Sequence, residues 1–220
     1  AVKGSGKVQL ADPENYAVLR SAANRSLKAD NMSKMFHDLG TAGGANFAEY
    51  LGALPAKYYH AGTFPNVDKV SGSTMAETIL NGTSACHACV IACGRVVRLE
   101  DGTKRKGPEY ETIVGFGPNL LNDDLPAIVR LGELCDTYGM DTISASNTLG
   151  LAFYLYEKGV ITEKDTGFPL RWGDVAVAEK LLHLTARREG IGAYLAQGSR
   201  RFGAHFGAED EAVQVNGLEV

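Results

Sequence analysis

The sequence lacks any apolar run that approaches the roughly 18 residues needed to cross a membrane. It also lacks a basic excess, since 22 Lys and Arg face 26 Asp and Glu and leave a formal net charge of −4. Its one basic run, Lys104-Arg105-Lys106, is explained by a solvated turn. No secretory signal opens it. We therefore expect a cytoplasmic protein whose partners include neither a membrane nor a nucleic acid.

Cysteine is scarce, and its placement is uneven. Of four cysteines, three fall in the run Cys86-His87-Ala88-Cys89-Val90-Ile91-Ala92-Cys93. Such clustering argues against a disulfide framework and indicates a reducing compartment. On a helix, the C-x2-C-x3-C spacing would bring Cys86, Cys89 and Cys93 to one face. Three converging thiolates are typical of a soft metal centre, and we interpret the run as part of an iron–sulfur site.

A four-iron cluster takes four thiolates, and this run supplies only three. The remaining cysteine, Cys135, lies on an apolar stripe with Ile128 and Leu131, where a cysteine packs as a small apolar side chain. Zinc is an alternative, with His87 or His60 as the fourth ligand. The residues alone therefore leave open a self-contained iron–sulfur or zinc-binding module for electron transfer or for interaction.

Capping and turn signals predict a mainly α protein, an irregular helical domain with one short β-hairpin. The hairpin is indicated by Asp101-Gly102 between Val96-Val97-Arg98-Leu99 and Lys104-Arg105-Lys106. Residues 213–220 are interpreted as a strand cut short, so we expect a piece of a longer polypeptide. The predicted helices cover about 13–28, 32–39, a short stretch before 52, 73–80, 123–138, 142–159, 174–188 and 191–203.

Two aspartates flank a predicted turn between helices. Asp136 ends one helix, where a carboxylate meets the negative end of the helix dipole, and Asp141 begins the next, where it is a good N-cap. Across the turn, the two carboxylates could both contact one ligand. Carboxylates placed in this way accept hydrogen bonds from the N–H groups of a heterocycle.

A third segment reads Gly107-Pro108-Glu109-Tyr110-Glu111-Thr112-Ile113. If it is extended, Glu109 and Glu111 face the same way. Glu111 leads directly into an apolar stretch, and a carboxylate held against apolar surface has a raised pKa and can act as an acid or a base. A solvated strand end is the alternative interpretation.

Taken in the order in which they occur along the chain, the three segments resemble the tungsten-containing aldehyde ferredoxin oxidoreductases. The third of them along the chain reads Leu-Cys-Asp-x2-Gly-x-Asp-Thr-Ile-Ser from Leu134 to Ser144. Further matches are Arg188-Glu189-Gly190-Ile191-Gly192, Leu195-Ala196-Gln197-Gly198 and Asn216-Gly217-Leu218-Glu219. The resemblance covers essentially the whole chain in collinear order.

The resemblance implies an enzyme that oxidises aldehydes to carboxylic acids at a tungsten or molybdenum bis-pterin centre. Electrons would then pass through a 4Fe-4S cluster to ferredoxin. It also implies a domain order, in which residues 1–8 end a preceding N-terminal domain and residues 9–220 form a helical domain with part of both sites. The isolated 220 residues are accordingly expected to be inactive, and the remaining domains of the same polypeptide are expected partners.

Site residues follow from the resemblance position by position. Three cluster ligands match Cys86, Cys89 and Cys93, and the fourth is expected beyond Val220. One pterin is matched by Asp136, Met140 and Asp141. The catalytic glutamate beside the metal matches Glu111, which would activate water or take a proton from the hydrated aldehyde, with support from Glu109 and Tyr110.

Two further implications concern partners and substrate. Some members of the family bridge a homodimer through an iron site, but Arg130 and Leu181 lie near where its Glu and His ligands are expected. The homodimer therefore stays an open alternative. The substrate is expected to be a small aldehyde, and a family member acting on an aromatic thioester is the other alternative.

Overall fold

The computed structural model describes residues 4–220, and this part of the chain is mainly helical. The prediction of a mainly α protein is thereby confirmed. Residues 1–3 of the proposed end of a preceding domain lie outside the described residues, and the boundary at residue 8 stays a prediction. The described helices are α1 (Pro13–Ala29), α2 (Asn31–Leu39), α3 (Gly44–Tyr50), α4 (Val67–Val70), α5 (Gly72–Thr78), α6 (Tyr110–Phe116), α7 (Leu125–Tyr138), α8 (Thr142–Glu157), α9 (Glu163–Thr166), α10 (Val175–Arg187), α11 (Gly192–Leu195) and α12 (Ser199–His205).

Aspartate caps decide where the longer helices begin. In each case the carboxylate accepts a hydrogen bond from the backbone N–H three residues later, which satisfies a donor that has no partner inside the helix. The predicted positions of α1, α2, α7, α8 and α10 are confirmed. The capping residues are Asp12, Asp30, Asp124, Asp141 and Asp174.

Among the helices of residues 4–220, none combines the length and the apolar character that a bilayer span requires.

A single helix over 191–203 was predicted, and this prediction is wrong. The chain breaks at Gly198, whose φ of 85° does not continue a right-handed helix. The break is held by a hydrogen bond from the Ser199 N–H to Glu219 Oε1 at 2.5 Å. A Cβ at Gly198 would lie 2.8 Å from the same carboxylate oxygen, so the close approach also requires glycine.

The predicted hairpin is confirmed, but it belongs to a three-stranded sheet. Strands β1 (Leu80–Ser84), β2 (Gly94–Arg98) and β3 (Lys104–Lys106) pair antiparallel in the order β1-β2-β3. Val97 of β2 pairs with Arg105 of β3. The residues of β1 were interpreted as a helix end and a break, and the pairing with β2 is the long-range interaction that overrides this local signal. The cysteine run therefore joins two paired strands.

The last residues form a second hairpin, so the interpretation of 213–220 as one strand is wrong. Strands β4 (Gln214–Val215) and β5 (Leu218–Glu219) pair antiparallel. The two residues that join them, Asn216 and Gly217, have φ values of 54° and 88°, as a two-residue hairpin turn requires. Asn-Gly is the strongest short-range hairpin signal, and here it decides the turn.

The main core lies between α6, α7, α8 and α10, with α8 at its centre. Every residue of α8 from Ser146 to Leu155 is buried. Helix α6 crosses α8 at Gly115, where a Cβ would lie 2.2 Å from the Ser146 Oγ. The close crossing positions the start of α6 and the start of α8 in the same part of the molecule, and both carry predicted site residues.

Candidate functional site

The cysteine loop, residues 85–93, connects β1 to β2 without a helix. The helical arrangement considered for the three cysteines is therefore wrong. Ala88 and Ala92 have φ values of 58° and 55°, and each directly precedes a cysteine, Cys89 and Cys93. Left-handed residues other than glycine are unfavourable, so contacts elsewhere must hold this conformation.

The backbone of the loop favours the thiolate of one cysteine. Cys86 and Cys89 are exposed and Cys93 is half-buried, and all three are free thiols. Backbone N–H groups of Ala92 and Ile91 donate to the Cys89 sulfur and lower the pKa of its thiol. The thiolate is the form that binds metal, and N–H hydrogen bonds to sulfur are one of the means by which proteins tune iron–sulfur clusters.

The residue types of the cysteine loop fit part of a cluster site, because three free thiols share one short loop and the pKa of one of them is lowered. The structure does not bring the three sulfurs together. Within residues 4–220, no three His, Cys, Asp or Glu side chains, these cysteines included, are grouped so as to hold a metal ion. Of the two candidate zinc ligands, His87 lies in a turn of the loop, and His60 stacks on Tyr154 with ring centroids 4.1 Å apart.

Two side chains from outside the loop fix its second half. The Nδ1 of His37 in α2 lies 2.7 Å from the Ile91 carbonyl oxygen. The guanidinium of Arg95 in β2 donates from Nη2 to the Ala92 carbonyl at 2.7 Å and from Nε to the Cys93 carbonyl at 3.0 Å. Neither residue was singled out from the sequence. The position of Arg95, two residues after Cys93, was the available signal.

The turn between α7 and α8 carries the predicted pterin residues. Gly139 ends α7 with a φ of 69°, a left-handed conformation that is common for the glycine after a helix. Asp141 caps α8 through a hydrogen bond from the Ser144 N–H to Oδ2 at 2.8 Å. Asp136 instead forms an ion pair with Lys106 of β3 at 3.3 Å, and both side chains are exposed. The two aspartates border different cavities, so their joint contact with one ligand stays a prediction.

A cavity of about 300 Å³ opens beside Met140 and Asp141. Its volume lies at the lower end of the range for small-molecule sites, and its wall combines apolar side chains with hydroxyl and charged groups. Such a wall suits a heterocyclic ligand with ring N–H groups. Arg188 and Gly198 belong to segments that had been matched to the family but had no role assigned. The other lining residues include Tyr138, Ser144, Thr148, Leu149, Thr185, Arg188, Leu195 and Gly198.

Glu111 lies in the first turn of α6, so the extended arrangement of Glu109 and Glu111 is wrong. The helix begins here because the Thr41 hydroxyl caps its first turn. That hydroxyl donates to Glu109 Oε2 at 2.5 Å and accepts the Tyr110 N–H at 2.9 Å. Glu111 is exposed, yet neighbouring protein atoms remove part of its solvation, and this desolvation raises the pKa of its carboxyl.

Two phenols accompany the Glu111 carboxylate. Burial raises the pKa of Tyr110 and of Tyr59, and the negative charge of Glu111 raises both further. Tyr110 was expected to support the pocket, whereas Tyr59 was not identified from the sequence. Because Tyr110 stays protonated at neutral pH, it is a hydrogen-bond donor beside this carboxylate.

Tyr59 is held by an unusual backbone segment. Lys57, Tyr58 and Tyr59 have consecutive φ values of 47°, 49° and 61°, which costs roughly 1–2 kcal/mol per residue. The Tyr58 hydroxyl accepts the Val213 N–H at 2.8 Å, and the Tyr59 hydroxyl donates to the Val220 carbonyl. Strain of this kind clusters at functional sites, where the surrounding structure enforces it.

Comparison with known proteins identifies the fold and its relatives. Residues 18–220 match the family model described as aldehyde ferredoxin oxidoreductase, domains 2 and 3. The chain belongs to the aldehyde ferredoxin oxidoreductase family. The resemblance stated from the sequence is thereby confirmed, and the family is one of oxidoreductases.

Two of the similar aldehyde ferredoxin oxidoreductases show how far the match extends. The chain is 36% identical over 223 residues to the tungsten-containing aldehyde ferredoxin oxidoreductase of Pyrococcus furiosus. It is 35% identical over 223 residues to the protein of the same name from Thermococcus kodakarensis. In both cases all of this chain is matched, and it spans 37% of the length of the relative.

Two other relatives differ in what their names describe. The WOR-like subunit of an aliphatic sulfonate oxidoreductase from Pyrococcus furiosus is 32% identical over 205 residues, which covers 90% of this chain and 32% of that protein. The active-site complex BamBC of benzoyl coenzyme A reductase, solved with 1,5-dienoyl-CoA, superposes with a TM-score of 0.74 at 22% identity. That superposition covers 97% of this chain and 34% of the solved chain, and it establishes a shared fold.

Proposed function

We propose that the protein to which this chain contributes oxidises a small aldehyde to a carboxylic acid and passes the electrons to ferredoxin. The reaction converts RCHO and H2O to RCOOH, two electrons and two protons. The observation that carries the proposal is the 36% identity, over the whole chain, to a tungsten-containing aldehyde ferredoxin oxidoreductase. A tungsten or molybdenum bis-pterin centre and a 4Fe-4S cluster are the cofactors proposed.

In this proposal, Cys86, Cys89 and Cys93 supply three thiolates to the cluster, and a residue beyond Val220 supplies the fourth. Cys135 is unsuited to that role. Its side chain is fully buried in α7, and burial raises the pKa of its thiol to about 12. A protonated thiol packed among apolar side chains is inert toward metal.

The pterin is proposed to bind at the cavity beside Met140 and Asp141. Asp141 uses Oδ2 to cap α8, which leaves Oδ1 to accept a ring N–H. Asp136 contacts the ligand after its ion pair with Lys106 breaks. The loss is small, because an exposed ion pair of this kind contributes only about 0–1 kcal/mol to stability. The cofactor, when bound, supplies the two-electron redox chemistry.

Glu111 is proposed as the general base. Its raised pKa brings the carboxylate closer to the operating pH, where a base exchanges protons most effectively with substrate and solvent. Tyr110, which stays protonated, orients the carboxylate or a substrate oxygen by donating a hydrogen bond. Tyr59 is fixed by its backbone and by its hydrogen bond to the Val220 carbonyl before substrate arrives.

The test is made on the full-length polypeptide. We expect four irons and one tungsten or molybdenum per polypeptide by elemental analysis, and aldehyde-dependent reduction of ferredoxin. Glu111→Gln should keep the metals and lower kcat by about 100-fold or more, because it removes the base. Glu14→Gln, which changes another glutamate in the first turn of a helix, should leave kcat unchanged. A metal-loaded protein that no aldehyde reduces would contradict the proposal.

A second substrate class has an observation in its favour. The relative named as part of an aliphatic sulfonate oxidoreductase is 32% identical over 90% of this chain. Aliphatic sulfonates are therefore assayed beside aldehydes, and the higher kcat/KM decides between them. The likeness to benzoyl coenzyme A reductase, at 22% identity, supports no substrate.

A further inference from the structure

Arg95 is a buried cation whose donors are aimed at the cysteine loop. The residue is 2% exposed. Its guanidinium donates to three carbonyl oxygens, those of Ala92 at 2.7 Å, Cys93 at 3.0 Å and Asp38 at 3.1 Å. The first two belong to the loop, and the third is at the end of α2. One side chain thus ties the end of the loop to the neighbouring helix.

Close contacts with two glycines fix the stem of Arg95. A Cβ at Gly40 would lie 3.2 Å from the Cγ and Cδ of Arg95, and a Cβ at Gly107 would lie 2.4 Å from its Cβ. The Gly107 N–H also donates to the Arg95 carbonyl at 2.9 Å. With both sides occupied, the side chain has no room to swing its charge toward solvent.

The positive charge of Arg95 has no carboxylate partner in residues 4–220. The ion pairs of this part of the chain join other residues, and none brings a carboxylate oxygen within 4.0 Å of this guanidinium. Neutral carbonyl oxygens satisfy its hydrogen bonds, and the negative groups that act on its charge, Cys93, Glu109 and Asp38, do so without a direct ion pair. A buried cation without a counter-charge in contact is costly, and an anion on the loop, where Cys93 lies, would offset that cost.

We propose that Arg95 is a positioning residue for an anionic iron–sulfur cluster on the cysteine loop and that its charge raises the reduction potential of that cluster. The inference rests on the proposed function, which places a cluster on Cys86, Cys89 and Cys93. Reduction adds one negative charge, and a cation held in a region of low dielectric stabilises the reduced state more than the oxidised state. The hydrogen bonds to the Ala92 and Cys93 carbonyls fix the backbone that carries the Cys93 thiolate.

The inference is tested in the full-length protein by a redox titration of the cluster followed by EPR. Arg95→Gln should lower the ratio of reduced to oxidised cluster about tenfold at a given potential, which is a midpoint about 59 mV lower for one electron. Arg95→Lys keeps the charge and should stay within about threefold of the wild type.

Two matched variants separate charge from packing. Arg98→Gln removes the same charge from an exposed position on the same strand and should change the ratio less than about twofold, because solvent screens it. His37→Ala removes the other anchor of the loop, its contact with the Ile91 carbonyl, and should also leave the ratio within about threefold.

An Arg95→Gln protein with the wild-type potential would overturn the inference and leave the proposed function standing. So would a shift as large in Arg98→Gln or His37→Ala. If Arg95→Gln holds no cluster, Arg95→Lys decides: a cluster at the wild-type potential supports the role of the charge, and loss of the cluster refutes it. A wild-type protein without any cluster would overturn both the proposed function and this inference.

Discussion

The two cysteine environments of the molecule show how backbone conformation decides thiol chemistry. In the cysteine loop, left-handed residues turn N–H groups toward the Cys89 sulfur and lower the pKa of its thiol. Cys135 lies inside α7, where the backbone N–H groups are used by the helix itself. No comparable donor offsets burial there, which raises the pKa of that thiol to about 12. The same residue type thus ionises more readily in one region and stays protonated in the other.

Alkylation should show the largest difference between these regions. At pH 8, a thiol with a pKa of about 12 is roughly 0.01% thiolate, whereas the lowered pKa of Cys89 makes it more ionised than an ordinary cysteine. We expect iodoacetamide to modify Cys89 at least about a thousandfold faster than Cys135 in the native chain. Peptide mass spectrometry over a time course measures both rates.

A denaturant provides the control for this experiment, because unfolding exposes both thiols and removes their different surroundings. The two rates should then agree within a few-fold. Rapid modification of Cys135 in the native chain would break the comparison, since it would mean that the core opens as readily as the loop.

The helical core should respond strongly to added volume. Gly115→Ala places a methyl group 2.2 Å from the Ser146 Oγ, so α6 and α8 must separate, at a cost of about 1–3 kcal/mol. Gly44→Ala in α3 is the matched change, because the nearest atom of another residue lies 3.7 Å away. It should be neutral or stabilise by up to about 1 kcal/mol. Urea unfolding measures both, and equal effects would show that the crossing is not tightly packed.

Local signals were sufficient for the five helices with aspartate caps, because each cap lies within three residues of the N–H group that it satisfies. Asp141 illustrates this, since its hydrogen bond to Ser144 can be read from spacing alone. The start of α6 could not be predicted in the same way. It depends on the hydroxyl of Thr41, which is 69 residues from the Tyr110 N–H that it accepts.

The candidate site shows the same difference between what local sequence predicts and what long-range contacts decide. Cys86, Cys89 and Cys93 could be identified from their spacing, but the conformation of their loop depends on side chains from two other elements. His37 lies 54 residues before the carbonyl that it contacts, so no motif connects them. Residue types and spacing thus indicated which atoms could bind metal, whereas long-range contacts decide how those atoms are presented.

Glu111 gives the smallest effect, and it tests whether desolvation acts on a carboxyl as it does on Cys135. Desolvation raises the pKa of Glu111 in the folded protein above its usual value of about 4.3. Below that pH, the carboxyl is neutral in both the folded and unfolded states and has no effect on their balance. As the pH rises, ionisation favours the unfolded state until Glu111 is ionised in the folded protein as well.

Glu111→Gln, which stays neutral, should therefore match the wild type at pH 4 and exceed its Tm by at most about 3 °C at pH 8. Thermal unfolding followed by circular dichroism across this range measures the difference. A difference that does not vary with pH would show that the substitution acts through packing, and the parallel between the buried thiol and this carboxyl would fail.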